Sequence, residues 1–166
     1  MNQIYLDTAR LMVQIAPVVF ESGVFALKGG TAINLFLRDM PRLSVDLDLT
    51  FRDHRASRED ALATIKEAFG TARSRLAERG FKVRAVSTAG LEETKLIVQR
   101  DELTVKVEVN TVLRGGVHPT KVRSLSSAAA EALMVDLELP LLSTEDVYGG
   151  KLVAAMDRQH PGISST

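Results

Sequence analysis

The chain has 166 residues, 45% of them apolar and 25% charged, enough for one domain to bury about 70% of the surface its unfolded form exposes. Its 21 basic and 21 acidic side chains cancel, so no global field draws in nucleic acid, and the absence of cysteine excludes disulfides, thiolate nucleophiles and thiolate metal sites. No run approaches the roughly 20 apolar residues of a membrane span, and Met1 to Asp7 lacks the pattern of a secretory signal, so the expected address is the cytoplasm.

In chain order, Ile4, Leu11, Ile15, Val18 and Val19 recur near helical spacing, which predicts a helix over 3–20 that Pro17 kinks or ends. Val24 to Leu27 reads as a short buried strand, which Gly29-Gly30 ends before a helix runs from Thr31 to Leu37. From Leu43 to Phe51 the chain alternates strictly. Leu43, Val45, Leu47, Leu49 and Phe51 fall on one face and Ser44, Asp46, Asp48 and Thr50 on the other, a half-buried strand. Ser57 and Asp60 form a capping signal ahead of Leu62, Ile65, Phe69, Ala72 and Leu76, and Gly80 stops that helix. Three strands are predicted next, at 81–86, 94–99 and 103–112, the last two joined tightly at Asp101-Glu102 as in a meander. Gly115-Gly116 and Pro119 mark a loop, the alanine-rich stretch 126–134 is ambiguous, and Pro140 precedes a capped helix from about Ser143 to Arg158. The order describes one α/β domain with a mixed sheet.

Chemistry concentrates in the acidic strand. Asp46 and Asp48 share a face about 6 to 7 Å apart, and their mutual repulsion is relieved by a hard divalent cation, although a wetted strand face carries acids too. The Gly29-Gly30-Thr31 turn is a candidate phosphate cradle because a helix start offers unpaired N–H groups, but by itself such a pair is more often an ordinary turn with Thr31 as a cap. Neither a Walker loop nor a Rossmann glycine pattern is present. Glu108 shares a strand face with Lys106 and Asn110 and is a third candidate ligand if that strand adjoins the acidic pair, which the sequence leaves open. Lys151, with Asp146 five residues before it as a possible orienting partner, is a candidate phosphate contact in the last helix. The basic run Arg73, Arg75, Arg79, Lys82 and Arg84 reads as a solvated face more readily than as a phosphate groove, and the three histidines show no ligand spacing.

Two stretches together, Leu27-Lys28-Gly29-Gly30-Thr31-Ala32-Ile33-Asn34-Leu35-Phe36 and Pro41-Arg42-Leu43-Ser44-Val45-Asp46-Leu47-Asp48-Leu49, closely resemble the AbiEii/AbiGii toxin family of nucleotidyltransferases. Further similar stretches are Lys106 to Asn110 and Asp146 to Arg158, so the likeness covers roughly residues 20 to 160. The resemblance implies a polymerase-β-like core, a mixed sheet flanked by helices. It implies Asp46, Asp48 and Glu108 as catalytic residues binding magnesium or manganese. It further implies nucleotide contacts from Lys28, Gly29, Gly30, Thr31, Arg42, Ser44, Lys106, Asp146 and Lys151. The expected activity is transfer of a nucleoside monophosphate from a nucleoside triphosphate to an acceptor such as RNA or tRNA, by a toxin that an antitoxin protein neutralises. Family members usually continue past Arg158-Gln159-His160-Pro161 into a helical region, so the expectation is a single nucleotidyltransferase domain without that region. Two other readings stay open: a non-catalytic module binding nucleotide or antitoxin, and an RNase-type toxin using the same carboxylates.

Overall fold

A computed structural model describes residues 3–32, 36, 46–53, 55–88, 91–110 and 120–142. The elements are α1 (Gln3–Val19), β1 (Phe25–Lys28), α2 (Gly29–Thr31), β2 (Asp46–Phe51), α3 (Arg58–Glu78), β3 (Lys82–Thr88), β4 (Leu91–Arg100), β5 (Leu103–Asn110), β6 (Lys121–Ser124), α4 (Ser127–Leu133) and β7 (Glu138–Leu141). Their strands form one seven-stranded mixed sheet in the order β3-β4-β5-β2-β1-β7-β6. The predicted α/β class with a mixed sheet flanked by helices is what the chain adopts.

Alternation decides how this sheet is covered. Leu47, Leu49 and Phe51 of β2, Leu96 and Val98 of β4, and Val105, Val107 and Val109 of β5 all enter one buried cluster. That cluster takes in Ile15 of α1 and Ile65, Phe69 and Leu76 of α3. The two helices cover this face, α1 against β5 and β2, α3 against β4 and β3. Each fully buried aliphatic or aromatic side chain contributes about 1.5–3 kcal/mol, so the apolar half of the alternation fixes which face of the sheet is inward. The intervening residues, Asp46 and Asp48 among them, are left for the other face.

The local rules act as the sequence suggests. Ser57 caps α3, its Oγ accepting from the Asp60 N–H at 3.1 Å, and Gly80 at φ +90 follows the helix end. Pro17 does not break α1 but sits in its last turn, with the helix ending two residues later. The ambiguous stretch is helical: Ser126 caps α4 through the Ala129 N–H at 3.2 Å. At the β4–β5 turn Asp101 adopts φ 55, a left-handed conformation that aspartate tolerates. Next to it Arg100 lies 3.9 Å over the Phe81 ring and donates to the Arg79 carbonyl and to Gln14, tying the hairpin to α3 and α1.

Strands β6 and β7 are absent from the sequence-based reading. Each has four residues, and Pro140 inside β7 argues against a strand because it donates nothing to a ladder. The structure accommodates it because the registered pairing of β7 with β1 is confined to Leu141 opposite Leu27, after the proline, with the Leu142 N–H donating to the Leu27 carbonyl at 3.1 Å. The loop around Gly115-Gly116, most of the helix expected up to Leu37, and the last expected helix lie outside the described residues.

Phe69 is fully buried, its ring centroid 5.5 Å from that of Phe25. Phe69→Ala is expected to cost about 3–5 kcal/mol and Ser57→Ala about 1 kcal/mol in denaturant unfolding; equal losses for the two would contradict this account of the core.

Candidate active site

The acidic residues are assembled by strand register. β2 runs parallel to β5 with Asp48 opposite Glu108, and Asp46 opposite Lys106. β1 runs antiparallel to β2 on its other side with Lys28 opposite Asp48, and β4 is antiparallel to β5 with Lys95 opposite Glu108. A single row therefore crosses four strands as Lys28, Asp48, Glu108, Lys95, with two acids held between two lysines. The adjacency that the sequence left open is present. Cross-strand neighbours on one face have Cβ atoms about 4.5–5.5 Å apart, close enough for these charges to act on one another.

The glycine turn is fitted to the acids. Gly29 has φ +78, and a Cβ there would lie 2.5 Å from Oδ2 of Asp48. Glycine is thus required twice at this position, for its left-handed backbone and for the space the Asp48 carboxylate occupies. Two residues on, the buried Thr31 hydroxyl donates to the Asp46 carbonyl, fastening the turn to the first residue of β2. As placed, Thr31 ties turn to strand. Lys28 precedes α2 in extended conformation, and no side chain caps the helix start.

Exposure changes along the acidic face: Asp46 is exposed, Asp48 half-buried and Thr50 buried. Burial raises the pKa of Asp48 above its ordinary value; Lys28 opposes the shift, while the charges of Glu108 and Asp46 add to it. Asp48 therefore carries its negative charge at a cost, the electrostatic state that a bound cation relieves.

Glu108 has its own partner. The Lys95 ammonium lies 2.7 Å from Oε1 of Glu108. Lys95 is a residue that the sequence reading did not single out, yet the signal was present: counted outward from the Asp101-Glu102 turn, Lys95 and Glu108 are each the sixth residue. Among the described residues, no group of three His, Cys, Asp or Glu is arranged to hold a metal ion. The donor chemistry of Asp46 and Asp48 fits a hard divalent cation through carboxylate oxygens, whereas Glu108 as placed is engaged with Lys95. Lys106, the exposed neighbour of Asp46, adds positive charge beside the pair. Arg42, Ser44, Asp146 and Lys151 lie outside the described residues. A cavity of about 330 Å³ between the end of α1 and α3, where Arg75 pairs with Glu21, is on the helical side of the sheet and away from the acidic row.

A mixed sheet with helices over one face and carboxylates gathered from adjacent strands on the other is consistent with a nucleotidyltransferase fold. The family described as nucleotidyl transferase AbiEii toxin, type IV toxin–antitoxin system, matches residues 10–162, most of the chain, and the chain belongs to that family. No curated protein shows significant similarity to it. No helix among the described residues is long and apolar enough to cross a membrane.

Two stability measurements probe this geometry. Gly29→Ala is expected to lose at least about 1–2 kcal/mol from the left-handed backbone alone, more once Asp48 is pushed aside; an unchanged denaturation midpoint would contradict the close approach. Asp48→Asn has the opposite sign. A raised folded-state pKa means the folded protein favours protonated Asp48, so wild-type stability falls as pH rises from 3.8 through the folded-state value, and the penalty is absent below 3.8. In chelator, Asp48→Asn is expected to melt above wild type at neutral pH and to lose that advantage in acid. A variant less stable than wild type at neutral pH would contradict the assigned cost.

Proposed function

We propose that this chain transfers a nucleoside monophosphate from a nucleoside triphosphate to an acceptor hydroxyl, with RNA as the acceptor class and Asp46 and Asp48 as ligands of magnesium or manganese. The observation that carries this reading is the register of β2 against β5, which sets Asp48 beside Glu108 on the face opposite the helices, in a chain of a nucleotidyl transferase family. A toxin of this kind has a cognate antitoxin protein as its partner.

The acceptor hydroxyl gives up its proton to solvent as its oxygen attacks the α-phosphorus; a new P–O bond forms, the bond to the bridging oxygen breaks and pyrophosphate leaves with that electron pair. A cation, when bound, supplies neutralisation of the phosphate oxygens and orientation of the triphosphate. The protein's own part is positioning and electrostatics, which dominate such transfers. Asp46 and Asp48 would hold the cation, with Glu108, engaged with Lys95 as placed, as a third candidate ligand. Lys28 and Lys106 flank the acids in register and contribute positive charge toward the phosphates. The N–H groups at Gly29 and Gly30, which no side chain caps, donate to phosphate oxygens, and Thr31 holds the turn against β2. Lys151, Arg42, Ser44 and Asp146 join the nucleotide site by family resemblance.

Purified chain incubated with magnesium, α-labelled triphosphates and candidate RNAs should label an RNA and release pyrophosphate. Chelation should abolish labelling, and Asp46→Asn with Asp48→Asn should reduce it about a hundredfold or more. Equal labelling by wild type and the double variant would refute the proposal, and RNA fragments without pyrophosphate would show water, not RNA, as the nucleophile.

A further inference from the structure

Among the described residues, Glu108 is the member of the acidic trio with an ion-pair partner, and that partner comes from β4, a strand that contributes no acid to the trio. Lys95 and Glu108 are both partly shielded, with side-chain exposures of 27% and 47%, so the pair is neither deeply buried nor fully screened by water. Its 2.7 Å separation is that of a charge-assisted hydrogen bond. On the far side of the row Lys28 stands opposite Asp48. Two lysines thus bracket two adjacent carboxylates in the strand register. A lysine ammonium is a compact single charge on a flexible stem, which can give way to a doubly charged ion competing for the same oxygens.

We propose that Lys95 is a displaceable counter-cation: it holds Glu108 until a divalent cation binds beside Asp46 and Asp48, and then cedes that carboxylate. The proposal rests on the reading of Asp46 and Asp48 as cation ligands. It makes Lys95 a positioning residue, since its ammonium holds the Glu108 carboxylate in the register beside Asp48.

The test uses the full chain with MnCl2 or MgCl2 alone. Lys95→Met should bind Mn²⁺ about threefold or more tighter than wild type by calorimetry, because Glu108 no longer has to be released. It should also gain more melting temperature from Mn²⁺. Lys95→Arg keeps the charge and should bind no tighter than wild type. In wild type, Mg²⁺ should raise acylation of Lys95 by an amine-reactive reagent, read by peptide mass spectrometry, and should not do so in Asp46→Asn/Asp48→Asn. A merely structural cross-strand pair would leave acylation unchanged by Mg²⁺, and that result overturns the proposal, as does unchanged or weaker Mn²⁺ binding by Lys95→Met. Wild type that binds Mn²⁺ while either of these holds would sink the role of Lys95 alone. Wild type that binds no Mn²⁺, with or without triphosphate, would sink it together with the cation reading.

Discussion

Everything at the acidic face depends on the parallel register of β2 against β5. These strands are separated in sequence by a long helix and two further strands, and they meet because the valines of β5 and the leucines of β2 must both be buried under α1. A shift of one residue in either strand would turn its carboxylates into the core and its leucines or valines outward. The apolar alternation therefore specifies the site indirectly: Leu47, Leu49, Val105, Val107 and Val109 hold the register, and Asp48 and Glu108 become neighbours as a consequence.

Gathering like charges on adjacent strands opposes folding, and the structure carries the signs of that cost. Asp48 is half-buried with its pKa raised, chiefly by desolvation and further by Glu108 and Asp46. Lys28 and Lys95 sit at the two ends of the row and offset part of it. The glycine turn belongs to the same arrangement, since Gly29 leaves room for the Asp48 carboxylate and Thr31 anchors the strand at Asp46. A simple wetted strand face needs none of these supports. Their presence at one place supports the proposed cation and phosphate chemistry.

Much of this was legible in the sequence where local rules dominate. The β2 alternation, the Ser57 cap of α3, and the meander turning at Asp101-Glu102 follow from side-chain period, hydrogen-bonding side chains and turn chemistry acting over a few residues. The neighbourhood of Asp48 and Glu108 was not legible, because strand order is set by long-range packing that no window of sequence contains. Lys95 was accessible by counting from the hairpin turn but had no distinguishing motif. Strands β6 and β7 escaped because four residues carry little periodicity and Pro140 points the other way; the sheet admits it only because pairing with β1 begins at Leu141. The Gly29 turn reads in the sequence as a phosphate cradle or an ordinary turn, and the structure adds a nearer reason for the glycine, room for Asp48.

The central claim, that the acidic row is a cation-dependent nucleotide centre, is tested most directly by anomalous diffraction from crystals grown with Mn²⁺ and a non-hydrolysable nucleoside triphosphate. The account predicts manganese bound by carboxylate oxygens of Asp46 and Asp48 at about 2.0–2.3 Å, with the triphosphate against the Gly29-Gly30 turn. Manganese and triphosphate bound away from both aspartates, for instance in the cavity between α1 and α3, would contradict it.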